Sequence, residues 1–236
     1  MDTSPTSLLR SYTPRVAIVT GSAQGIGYDI AHRLADDGID IVINDIPAKA
    51  AQANEVAAEI QKKGRRAIAV LADVASEPEV ISLIEKAVQG LGSVDIMVAN
   101  AGIAKARGFL ETSVEDFNTV LAVNARGVFL CYKHAAIQMI KQGRGGRLIA
   151  IELRKYGITA NAYAPGVIRT PLTRGPGNDN ASDYEQVKMK EILGLPLDTP
   201  VANADVVASI VSYLVRPESY FINGQSISVD GGLRYS

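Results

Sequence analysis

Two places in the chain have the residue types and spacing for nucleotide chemistry. The run Thr20-Gly21-Ser22-Ala23-Gln24-Gly25-Ile26-Gly27 lies between a β-branched stretch, Arg15–Thr20, and a helical pattern from about Ile26 to Asp37. Glycines there permit positive φ and close backbone approach, and the first helical turn offers free N–H groups to a pyrophosphate. A glycine cluster can also be a plain tight turn, but its position directly after the first strand favours phosphate binding. Asp45 ends the second strand, 18 residues beyond Gly27. A carboxylate there accepts hydrogen bonds from an adenosine ribose and repels a 2′-phosphate, so NAD(H) is favoured over NADP(H). The alternative is a solvated loop acid. The basic cluster Lys62, Lys63, Arg65 and Arg66 follows a helix end and reads as a solvated terminus rather than a phosphate site.

The elements that must position these residues alternate. Strands are expected at Arg15–Thr20, Asp40–Asn44, Ala67–Leu71, Asp95–Ala99, Arg147–Ile151, Ile158–Tyr163 and Ser226–Val229. Helices are expected at Ala48–Lys63, Pro78–Gln89, Phe117–Gln142 and Asp205–Leu214, besides the one opening near Ile26. Nearly continuous apolar strands alternating with helices imply an α/β fold, a doubly wound, mostly parallel sheet with helices on both faces. Residues 1–14 read as a loose polar leader and 15–236 as one dinucleotide-binding catalytic domain.

Composition narrows the class. With 24 Lys+Arg against 25 Asp+Glu, the net charge of −1 argues against a nucleic-acid or anionic-membrane partner. No apolar run approaches the roughly 20 residues of a membrane span, and the first residues lack a signal-peptide core. The single cysteine, Cys131, has no internal disulfide partner, which fits a reducing, cytoplasmic setting. With His32 and His134 it gives too few ligands for an ordinary zinc site, so all three read as packing or surface residues.

These motifs together resemble the short-chain dehydrogenase/reductase family, with the pattern nearest to diacetyl/acetoin reductase-like and 3-oxoacyl reductase-like members. The spacing Thr-Gly-x-x-x-Gly-x-Gly is that family's, and Asp73-Val74 resembles its adenine-contacting pair. Asn100-Ala101-Gly102 resembles its Asn-Ala-Gly motif, and Asn161–Gly166 with Thr170 its loop over the nicotinamide. The resemblance implies a Rossmann fold and hydride transfer between NAD(H) and a small ketone, diketone or secondary alcohol. It implies cofactor contacts at Gly21, Gln24, Gly25, Ile26, Gly27, Asp45, Ile46, Asp73, Val74, Asn100, Ala101, Gly102, Pro165, Gly166, Ile168 and Thr170. Asn124 would be the asparagine of the catalytic tetrad. A homodimer or homotetramer would assemble through the long fifth helix and the one after it.

The rest of that tetrad is missing. The family places a serine near the end of strand five and a Tyr-x-x-x-Lys pair on the following helix. Here Arg147–Ile151 leads through Glu152–Gly157 straight to Ile158, roughly 30 residues short judged by the family. A parallel pair of strands needs a crossover of about a dozen residues or more, so the expected sheet cannot form without rearrangement. Tyr184 with Lys188 has the Tyr-x-x-x-Lys spacing, but it follows Pro165-Gly166 and reads as chance spacing on the substrate lid. Two readings follow: an active dehydrogenase at full length, or a catalytically dead NAD-binding or interaction protein if the deletion is genuine.

Overall fold

The computed structural model describes residues 12–105, 108–148, 155–174, 190 and 195–233. A six-stranded parallel sheet, ordered β3-β2-β1-β4-β5-β6, forms its centre. The strands are β1 Val16–Thr20, β2 Asp40–Asp45, β3 Ala67–Leu71, β4 Ile96–Val98, β5 Gly146–Arg147 and β6 Ile158–Thr159. Every residue of β1 is buried, as a strand covered on both faces requires. The strand period of two divides its side chains between two cores. Ala17 and Val19 pack under α1 (Gly25–Asp36), α2 (Ala50–Lys62) and a later helix, Asp205–Leu214; Val16 and Ile18 pack on the opposite face. That face is covered by α3 (Glu77–Leu91) and by Leu130, Cys131, Ala135 and Met139 of the helix before β5.

Two expectations need correction. The helix expected over Phe117–Gln142 starts earlier and is interrupted: α4 spans Val114–Leu121, a π-helical stretch Ala122–Gly127 follows, and α5 covers Val128–Gln142. Apolar spacing cannot reveal one residue added to a turn, whereas a tertiary contact can stabilise it. Among the described residues strand five pairs through Gly146 and Arg147, and Ile149–Ile151 of the expected strand lie outside the described residues. The strand expected over Ile158–Tyr163 divides between two sheets: β6 pairs with β5, while β7 (Ala162–Pro165) pairs in parallel with β10 (Ser226–Val229).

Further strands β8 (Val167–Ile168) and β9 (Val201–Ala202) pair in parallel. They are followed by the helix α7 (Asp205–Leu214), α6 being the short turn Pro171–Arg174 between them. The leader is not loose at its end: Tyr12 is 2% exposed, and its hydroxyl donates to the Asp95 carbonyl at 2.7 Å. Asp95 also accepts from the Arg15 and Val16 amides and pairs with Arg144 at 2.7 Å, so the lower edge of the sheet anchors the incoming chain.

Candidate cofactor cleft and active site

The glycine turn is dictated by what surrounds it. Gly21 has φ +62°, and a Cβ there would lie 2.8 Å from the Ala101 Cα. A Cβ on Gly27 would lie 2.5 Å from the Gly21 carbonyl oxygen and 2.6 Å from Asn100 Nδ2. The first glycine therefore lets the turn press against the end of β4, and the last lets α1 press against the turn. Asn100 ties these pieces together. Its amide donates to Thr20 Oγ1 at 3.0 Å, its Nδ2 to the Thr20 carbonyl at 2.8 Å, and its Oδ1 accepts from the Tyr163 hydroxyl at 3.0 Å.

A cleft of about 290 Å³ opens above the turn. Its wall contains Gly21, Gln24, Gly25, Ile26, Asp45, Ile46, Asp73, Val74, Asn100, Ala101, Gly102 and Thr170, twelve of the residues expected at the cofactor. The cleft suits a dinucleotide: backbone without side chains at the helix N-terminus, and a carboxylate at the end of the second strand. Asp45 accepts from the Ala23 amide at 3.1 Å and from the Ile46 amide at 2.9 Å, which orients its carboxylate beside the turn. Asp73 caps its own turn, accepting from the Ala75 amide at 2.9 Å. Gly27 packs beneath the turn. Ile168 is buried in the core under α1, and Gly166 meets the Asp230 backbone, where a Cβ would lie 2.8 Å from the Asp230 Cα.

Asn124 sits in the π-helical stretch. Its Oδ1 accepts from the Ile103 amide and its Nδ2 donates to the Ile103 carbonyl, both at 2.9 Å. This two-point clamp joins the helix to the segment leaving β4. Asn124 and Pro165 belong instead to a second cavity, about 410 Å³, that meets the cleft at Ile26 and Asn100–Gly102.

Tyr132 and Tyr163 line this second cavity. Burial pushes the Tyr132 hydroxyl up to about 12 and raises that of Tyr163 as well, so both are held as neutral phenols. The spaced pair Tyr184 and Lys188 lies outside the described residues. Cys131, pushed up to about 12 by burial, is a packing thiol. His32 and His134 meet Glu59 and Glu77 at 3.0 and 2.8 Å. Among the described residues no His/Cys/Asp/Glu group could hold a metal ion. The basic cluster is more engaged than a solvated terminus: Arg65 and Arg66 converge on Asp40 at 2.6 and 2.7 Å.

Sequence reasoning missed Lys49. It lines the cleft, and its Nζ donates to Gln24 Oε1 at 3.1 Å. The available signal was its place one helical turn beyond Asp45, within a segment read only as helix.

Comparison with known proteins agrees with this geometry. The family model for short chain dehydrogenase matches residues 15–152, and that for Enoyl-(Acyl carrier protein) reductase matches 144–234. The short-chain dehydrogenase/reductase eriH of Hericium erinaceus is 43% identical, the match covering 92% of this chain and 96% of the relative. That alignment extends over 251 residues, more than the 236 of the whole chain, so the relative carries positions with no counterpart here. Among solved structures, acetoin dehydrogenase YohF from Salmonella typhimurium is 31% identical with a TM-score of 0.78, covering 94% of this chain and 96% of its own. A short chain dehydrogenase from Mycobacterium paratuberculosis bound to NAD is 26% identical with a TM-score of 0.81, covering 93% and 97%. The glycine turn, the Asn100 frame and these matches along nearly the whole length agree: the chain belongs to the short-chain dehydrogenase/reductase family of oxidoreductases.

Proposed function

We propose that this protein is an NAD(H)-dependent oxidoreductase that interconverts a small ketone or diketone and a secondary alcohol. The observation that carries the reading is Asp45, held by two backbone amides at the ribose end of a cleft whose turn is built from glycine. Likeness to an acetoin dehydrogenase and to a dehydrogenase bound to NAD supports the substrate class and the cofactor. When bound, the nicotinamide supplies the carbon that gives or takes the hydride. Gly21, Gln24, Gly25 and Ile26 present backbone to the pyrophosphate. Asp45 and Ile46 take the adenosine ribose, with Asp73 and Val74 beside the adenine. Asn100, Ala101, Gly102 and Thr170 hold the far end, while Gly27, Pro165, Gly166 and Ile168 support it by packing. Asn124 holds the segment at Ile103 and thereby shapes the substrate side.

Reduction of a carbonyl also requires a proton, because hydride addition alone leaves an alkoxide. We assign the donor to the positions that the relatives carry and this chain lacks, between strands five and six. A second reading, a dinucleotide-binding protein without turnover, is favoured by the two tyrosines that line the second cavity. Tyr132 and Tyr163 are half-buried neutral phenols with no lysine four residues on. We also propose one catalytic domain over 15–236, assembly as a homodimer or homotetramer, and a cytoplasmic location. No helix among the described residues is long and apolar enough to cross a membrane. The test is titration of full-length protein isolated from its source with NADH, then an assay of NADH oxidation against diketones, ketones and sugars. Binding with turnover supports the enzyme, binding without turnover supports the second reading, and absence of binding sinks both.

A further inference from the structure

The cofactor cleft has three charged side chains in its wall, Asp45, Asp73 and Lys49. Backbone amides orient both acids. Asp45 accepts from the Ala23 amide on Oδ2 at 3.1 Å and from the Ile46 amide on Oδ1 at 2.9 Å, and Asp73 from the Ala75 amide at 2.9 Å. Lys49 is the one cation in this wall among the described residues. It follows Asp45 by four residues, yet its Nζ donates to Gln24 Oε1 at 3.1 Å rather than to that carboxylate. Gln24 is the N-cap residue of α1, and its side chain makes no capping hydrogen bond. The Lys49–Gln24 bond therefore ties the segment after β2 to the glycine turn, next to the rung from Asp45 to Ala23.

An ammonium has three donors, and a neutral amide oxygen is a weaker acceptor for it than an anion. Its flexible four-carbon stem lets the head group change partners. Position decides which anion it can take. On the cofactor reading Asp45 marks the adenosine ribose, and Lys49 follows on the same segment. NAD(H) has a hydroxyl at the 2′ position of that ribose, whereas NADP(H) has a phosphate. Asp45 alone would exclude the phosphate by like charge. A cation in the same wall offsets that repulsion, because both act over similar distances in one cleft.

We propose that Lys49 leaves Gln24 for the 2′-phosphate of NADP(H), so that the cleft binds NADP(H) as well as NAD(H), with a shallow preference for NAD(H). The proposal rests on the reading of the cleft as a dinucleotide site. It departs from the strict choice of NAD(H) that a lone carboxylate implies.

Fluorescence titration of the purified chain with NADH and NADPH tests it. NADPH should bind within about tenfold of NADH, one charge-assisted hydrogen bond standing against one like-charge repulsion. Lys49→Met should lower the affinity for NADPH relative to NADH by about tenfold or more, while Lys49→Arg should keep the wild-type ratio. Gln24→Ala, which frees the ammonium, should raise NADPH relative to NADH severalfold. A wild-type ratio wider than about tenfold, or a ratio that Lys49→Met leaves unchanged, would overturn the proposal while the dinucleotide reading stands. Absence of NADH binding overturns both. If Lys49→Met does not fold by circular dichroism, the wild-type ratio and the Gln24→Ala variant decide it.

Discussion

At the scale of single residues, the proposed cofactor preference rests on Asp45 and its neighbour Lys49. A carboxylate at Asp45 would repel a 2′-phosphate, while Lys49 stands in the same cleft, its ammonium occupied by Gln24. Replacing Asp45→Ala should weaken NADH about tenfold and strengthen NADPH relative to it, by loss of one charge-assisted hydrogen bond and one like-charge repulsion. Adding Lys49→Ala should remove most of the gain for NADPH. Binding constants by fluorescence titration check both, and unchanged NADH-to-NADPH ratios would discard the role of Asp45. Gly21→Ala combines a positive φ with a 2.8 Å contact to the Ala101 backbone. It should destabilise the protein by about 1–3 kcal/mol in urea unfolding and abolish NADH binding. The twelve cleft residues were legible in the sequence because strand, turn and helix fix their places locally. Lys49 was not, since a helical lysine carries no sign of what it faces.

At the scale of elements, ion pairs and apolar stripes decide what packs where. Burial alone would raise the Asp40 carboxyl, but hydrogen bonds from Arg66 and Arg65 outweigh it and hold it below its ordinary value. A depressed folded-state pKa gives stability that is present above the unfolded value, about 4, and lost as pH falls below it through the folded one. Asp40→Asn should lower Tm near pH 7 by roughly 2–4 °C, about 1 kcal/mol for a chain of this size, and flatten the acid limb of Tm against pH. A limb as steep as wild type would show that other carboxylates govern it. On α4, Val114, Phe117 and Leu121 are exposed at helical spacing and form one apolar stripe, continued on α5 by Phe129 and Ile137. The double variant Phe117→Glu and Leu121→Glu should reduce the assembly measured by light scattering while leaving far-ultraviolet circular dichroism intact. The amphipathic pattern predicted the helix and its length approximately. The π-helical turn that carries Asn124 depends on a clamp to Ile103, 21 residues away in sequence, and no local pattern encodes it.

For the whole molecule, we propose that the short connection between strands five and six decides whether the substrate side is complete. The relative carries positions with no counterpart in this chain, and we propose that they fall between β5 and β6. If the chain is expressed as written, its intact mass is 25.0 kDa, and it should bind NADH without oxidising it in the presence of diketones. Protein isolated from its source at about 3 kDa more, roughly 30 residues at about 110 Da each, should turn over the same substrates. Turnover by the 25.0 kDa form would reject the assignment of the proton donor to the missing positions.

Sequence alone determined the dinucleotide half: short-range order of strand, glycine turn and helix, with Asp45 at a fixed distance, positions those groups whatever happens elsewhere. The connection between strands five and six is likewise a property of the chain, which leaves only Leu148–Gly157 between Arg147 and Ile158. Only the tertiary structure decided which strand edges pair, because pairing between strands is a competition among distant edges. Among the described residues β6 pairs with β5 through two residues and β7 pairs with β10.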